Sequence, residues 1–112
     1  SHCEHHMAPF LGKAFVAYMP LDNVVGISKL ARVVEIYAKR LQTQETMTSQ
    51  ILTSIQDVLK PQGVAVMIDA KHECMTTRGV HHPNVSTITT QFTGVFRTDT
   101  ELRERFMRLA GR

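Results

Sequence analysis

The spacing of hydrophobic and polar residues changes repeatedly along the chain, and each change marks an element. Leu11–Tyr18 (L-G-K-A-F-V-A-Y) is an apolar-rich run closed by Pro20 and the turn-forming pair Asp22-Asn23, which predicts a strand. From Ser28 the period becomes helical. Leu30, Val33, Val34 and Tyr37 share one stripe while Lys29, Arg32 and Glu35 fall off it, and Ser28, directly after Gly26, is the predicted N-cap. Met47, Ile51, Ile55, Val58 and Leu59 form the stripe of a second helix, stopped by Pro61 and Gly63.

The run V-A-V-M-I-D-A-K-H-E-C then predicts a strand from its β-branched content. Its alternation puts Val64, Val66, Ile68, Ala70, His72 and Cys74 on one face and Asp69, Lys71 and Glu73 on the other. His72 and Cys74 therefore end an otherwise apolar, core-facing row. Val85–Phe96, rich in Thr, Val, Ile and Phe, predicts a further strand. Asp99–Leu109 predicts a charged closing helix with Leu102, Phe106 and Leu109 on one side. Strand, helix, helix, strand, strand, helix is the order of an α+β chain with a mainly antiparallel sheet and a helix pair on one face.

Length and composition narrow the class. At 112 residues the chain is one domain, which buries roughly two-thirds of its unfolded surface. Hydrophobic and charged fractions of 43% and 21% are those of a folded globular chain and not of a disordered one. No apolar run approaches the ~20 residues of a membrane span, and no signal-peptide core opens the sequence, so the expected location is cytoplasmic. A net charge of +3 without a dense basic block, no Trp and two Tyr leave little for nucleic-acid binding but suit a small polyanion. The sequence opens on Ser1 and not on Met, which reads as a processed product or a fragment.

Three groups of residues could carry chemistry. Cys3-Glu4-His5-His6 holds a C-x-x-H spacing that lets one turn present a thiolate and an imidazole to an ion, and Cys74 adds a third donor. Cys3, His6 and Cys74 would leave the fourth zinc position open, the arrangement of catalytic sites. The alternatives are a closed site completed by His5 or His72, two cysteines buried as small hydrophobes, or a solvated His-rich end. Ser28, Lys29 and Arg32 lie at the start of a helix, where backbone N–H groups already favour an anion, and Arg78 could add a fork of donors; a solvated charged face is the alternative. Gln44-Glu45 opens the second helix. Glu45 either caps that helix or accepts two N–H donors from the pyrimidine edge of guanine.

The segments S-x-C-E-H-H-x-x-P-F, G-I-S-K-L-A-R-V-V-E-I-Y-A-K-R-L-Q-T-Q-E and H-E-C-M-x-x-R-G-V, in this order and spacing, closely resemble the GTP cyclohydrolase I family over essentially the whole chain. The resemblance implies the T-fold, an antiparallel sheet with a helix pair on one face, and a toroidal homodecamer of two pentamers with sites at subunit interfaces. It implies Cys3, His6 and Cys74 as Zn2+ ligands, His5 and His72 as acid–base groups, Gln44 and Glu45 as anchors of the guanine ring, and Ser28, Lys29, Arg32 and Arg78 as holders of the ribose and triphosphate. The implied reaction opens GTP at carbon 8, releases formate, and gives 7,8-dihydroneopterin triphosphate through an Amadori rearrangement.

Family members carry an N-terminal helical region and a first strand ahead of the C-E-H-H segment. Here Ser1 falls at the end of where that strand would be, so residues 1–112 would be the catalytic domain without that region. An unpaired sheet edge beside Leu11–Tyr18 is then expected. Two other functions are weighed against this one. The first is a catalytically silent T-fold piece that binds pterin or purine or serves assembly. The second is the related nitrile reductase of the queuosine pathway, which the complete zinc set argues against.

Overall fold

The computed structural model describes residues 10–22, 26–38, 43–72 and 86–111. The elements are β1 (Phe10–Met19), α1 (Ile27–Ala38), α2 (Gln44–Leu59), β2 (Gly63–His72), β3 (Thr87–Phe92), a one-turn helix α3 (Val95–Thr98) and α4 (Thr100–Leu109). The strands form one antiparallel sheet in the order β1-β2-β3. An α+β fold with an antiparallel sheet and a helix pair on one face is therefore observed. Among the described residues, β1 has a strand partner on one side only.

Two apolar clusters hold the sheet. On one face Val64, Val66, Ile68 and Ala70 pack with Met47, Ile51, Leu52, Ile55 and Leu59 of α2, and the α1 stripe of Leu30, Val33, Val34 and Tyr37 covers them. Tyr37 is fixed against α2 by a 2.6 Å hydrogen bond between its hydroxyl and that of Ser54. On the other face Ala65 and Met67 pack under Phe96 and Phe106, whose rings meet edge to face with centroids 6.3 Å apart. The alternation expected for β2 is correct on the helix-pair side. The opposite side is also covered over residues 65–67, because α4 lays Phe106 there, and that is why this strand reads as a nearly continuous apolar run.

Several local expectations are corrected. Gly26, not Ser28, occupies the cap of α1: its carbonyl accepts from Lys29 N and Leu30 N at 3.1 and 3.4 Å, and Ser28 is already helical. Val58 is 76% exposed, since the α2 stripe passes through Leu59 instead, and Leu109 is 79% exposed at the rim of a groove shared with Phe106 and β1. The third strand stops at Phe92. Thr93 accepts from Val64 N (3.0 Å) and donates to Gln56 Oε1 (2.8 Å), and Gly94 then turns the chain with φ of +56°. A side chain at Gly94 would run into the Gln62 carbonyl, so only glycine fits. This turn swings Phe96 into the second cluster as part of α3.

Candidate functional site

The strand register decides which parts of the chain can meet. Phe10 pairs with His72 across β1 and β2, while Met19 pairs with Gly63 at the other end. Phe10 and His72 therefore lie side by side at one end of the sheet. Cys3, His5, His6, Cys74 and Arg78 lie outside the described residues, and His72 is the last residue of β2. Thr87 opposes Ala70, so β3 also starts at this end.

The N-terminus of α2 reaches the same end. Gln44 is 2% exposed, and its Nε2 donates to Ile68 O (3.1 Å), Thr87 O (2.9 Å) and Thr89 Oγ1 (3.3 Å), clamping the helix to β2 and β3 together. Glu45 is exposed on the same first turn. The turn is capped by Thr43, whose Oγ1 accepts from Thr46 N at 3.2 Å, so the cap expected of Glu45 is supplied elsewhere and leaves its carboxylate outside the capping bonds. The two neighbours are thus separated by environment: Gln44 commits its N–H groups inward, and Glu45 faces out.

Ser28, Lys29 and Arg32 are exposed at the start of α1. Lys29, Leu30 and Val33 line a small groove of about 150 Å³ with Ser54, Ile55, Val58 and Leu59. The start of α1 therefore lies beside the end of α2, and α2, with its 16 residues, is about 24 Å long. Within one chain, the cations stand roughly a helix length from Glu45 and His72. Among the described residues, the fold puts Glu45 and His72 at one end of the sheet and Ser28, Lys29 and Arg32 toward the other, while Cys3, His6, Cys74 and Arg78 lie outside them.

Thr48 and Thr89 had no place among the residues singled out from the sequence. Their spacing from Gln44 carries a faint signal: Thr48 is one helical turn on, and its hydroxyl bonds back to Gln44 O at 2.8 Å. Thr89 is far away in the chain, and only the sheet brings it within 2.6 Å of Thr48 Oγ1. Among the described residues no group of three His, Cys, Asp or Glu could hold a metal, and no helix is long and apolar enough to cross a membrane.

Known proteins bear on this arrangement. A family model described as GTP cyclohydrolase I matches residues 1–111. A protein of Maricaulis maris named GTP cyclohydrolase 1 is 68% identical over 112 residues, covering 100% of this chain and 55% of that protein. The protein of the same name from Hyphomonas neptunium is 68% identical over 111 residues, covering 99% of this chain and 54% of its own length. That of Brucella anthropi is 59% identical over 112 residues, covering 100% and 53%. The chain spans about half the length of these curated relatives. A match of this extent, on a three-stranded antiparallel sheet with the expected helix pair, has one conclusion: the chain belongs to the GTP cyclohydrolase I family.

Proposed function

We propose that this chain is the catalytic domain of a zinc-dependent cytoplasmic enzyme that hydrolyses GTP at carbon 8 of guanine, releasing formate and giving 7,8-dihydroneopterin triphosphate. The observation that supports the reading is the Phe10–His72 register: it sets side by side two residues that stand four positions after His6 and two before Cys74 in the sequence. Two thiolates and one imidazole suit zinc, and three protein ligands leave a position for chemistry. Cys3, His6 and Cys74 would hold the ion; when bound, it supplies a Lewis acid that turns water into a nucleophile near neutral pH.

The protein groups perform the rest. Glu45 accepts the N1–H and 2-amino protons of guanine, which an adenine ring does not offer in that pattern, and so selects the base. His5 and His72 exchange protons with the purine nitrogen as the five-membered ring opens and with the sugar as it rearranges, a task suited to imidazole side chains. Ser28, Lys29, Arg32 and Arg78 offset the triphosphate charge and hold it away from the reacting ring.

The start of α1 is a helix length from Glu45 in one chain, so a complete site takes Ser28, Lys29 and Arg32 from an identical neighbour. This favours an oligomer, and the homodecamer of two pentamers is the assembly we infer. Replacing Cys74 tests the ligand set. Cys74→Ser should lose both metal and activity while the protein stays folded. A folded protein with a Cys3–Cys74 disulfide and no metal would contradict the reading, as would Cys74→Ser that lacks zinc yet keeps its activity.

A further inference from the structure

The first turn of α2 is held by a closed circuit of hydrogen bonds that no proposed contact with substrate requires. Thr48 Oγ1 lies 2.8 Å from Gln44 O and 2.6 Å from Thr89 Oγ1. A hydroxyl has one hydrogen, and that of Thr48 is spent on the Gln44 carbonyl, which accepts only. The hydrogen between the two hydroxyls therefore belongs to Thr89. Thr89 Oγ1 is left to accept from Gln44 Nε2, 3.3 Å away, through a hydrogen shared with one of the nearer carbonyls, since the amide has two hydrogens for three acceptors. The circuit runs from the Gln44 amide to Thr89, from Thr89 to Thr48, and from Thr48 back to the Gln44 backbone. All three links have one allowed direction.

The circuit joins α2 to the middle of β3, and the same Gln44 amide reaches the carbonyls of Ile68 and Thr87. On the outer side of the turn Thr43 Oγ1 accepts from Thr46 N and donates to Thr46 Oγ1 at 2.8 Å. Glu45 sits between these two sets of bonds. A buried polar network that is satisfied at each link rigidifies its surroundings, and a carboxylate that must meet two N–H groups of a base gains most from a fixed backbone.

We propose that Gln44, Thr48 and Thr89 are positioning residues for base recognition: they hold the Glu45 carboxylate in register with the end of the β2–β3 pair, and Gln44 acts on guanine through Glu45 and not by contact. The proposal rests on the reading of Glu45 as the base-selecting group.

The test compares GTP with inosine triphosphate, which lacks the 2-amino group, on the zinc-loaded full protein in its native assembly. Thr89→Val keeps the shape of the side chain and removes the hydroxyl that serves both neighbours. The preference for GTP over inosine triphosphate, measured as a ratio of kcat/KM values and of equilibrium affinities, should fall by about 10-fold, chiefly through KM for GTP. Thr89→Ser should restore it, and Thr48→Val, which breaks the circuit from the helix side, should reproduce the loss. A role confined to stability would weaken both nucleotides alike. Equal losses, or no change in the ratio for either valine variant, would overturn the proposal. Glu45→Gln is measured in parallel. If it lowers the ratio while the valine variants do not, the Glu45 reading stands and the positioning role falls; if it leaves the ratio unchanged, both fall.

Discussion

The approach of β1 to β2 beside the Phe10–His72 pair can be tested by one methyl group. Gly12 stands opposite Ala70, two residues inside that pair. A β-carbon at position 12 would lie 2.6 Å from Ala70 Cα and 2.8 Å from Ala70 Cβ, and would also strike the Asp69 carbonyl. Two of these three atoms are backbone, so no rotamer change relieves the clash. Carbon atoms need roughly 3.5–4.0 Å, so the strands must part by about 1 Å at this point. Two adjacent ladder hydrogen bonds would stretch, at about 1 kcal/mol each, and packing at Ala70 would loosen. Gly12→Ala should therefore cost about 2–3 kcal/mol, a melting point lower by roughly 8–12 °C for a domain of this size. Because the parting lies two residues from the Phe10–His72 pair, and Cys74 follows His72 by two positions, the zinc content of the proposed site should fall with it. Gly26→Ala is the control. An added methyl there meets nothing within 4 Å, and the change should cost about 0.5 kcal/mol through the cap alone. Thermal unfolding and metal analysis of the two variants give the answer. A Gly12→Ala protein that melts within about 2 °C of the original and keeps its zinc would refute the close approach of β1 and β2 and the link from that approach to the site.

Two further outcomes concern the site itself. Glu45→Gln replaces an acceptor with a donor facing the guanine N–H groups, so GTP binding measured by calorimetry should weaken about 10-fold or more with zinc retained; unchanged affinity would reduce Glu45 to a solvated carboxylate. Lys29→Met and Glu45→Gln proteins should each be severely impaired, yet co-expression should recover about a quarter of the activity, the random share of sites that draw an intact Lys29 and an intact Glu45 from different chains. No recovery would mean that both groups serve the same site from one chain.

Much of the fold was legible because its helices bury narrow stripes. Leu30, Val33, Val34 and Tyr37 announced α1, and Met47, Ile51 and Ile55 announced α2, in the order in which they pack. Periodicity failed at the edges of the stripes. Val58 and Leu109 keep helical spacing, but Leu59 and Phe106 take the buried positions, and residue type alone does not mark that edge. The strand expected through Phe96 ends at Phe92: Thr and Phe suit strands locally, while the turn at Gly94 is set by the close approach of Gln62. The α1 cap was assigned to Ser28 on residue preference, but the carbonyl that receives the first helical bond is that of Gly26.

The site divides in the same way. Cys3, His6 and Cys74 stand out as a proposed donor set from residue type, and the Phe10–His72 pairing sets together the two sheet residues nearest to them in sequence. The resemblance implies one task for Gln44 and Glu45, and folding gives the two different environments, one buried and the other exposed. Thr89 could not have been found from the sequence at all, since its partners are forty or more residues away.

The central claim is that the protein uses zinc to open the guanine ring of GTP, and product analysis tests it most directly. Purified zinc-loaded protein incubated with GTP should release formate and 7,8-dihydroneopterin triphosphate in equal amounts, read by formate assay and pterin fluorescence. Both products should vanish on chelation of the metal and return on addition of zinc. Tight binding of GTP by the zinc-loaded assembly with no formate formed would contradict the claim and leave the chain as a nucleotide-binding member of its family.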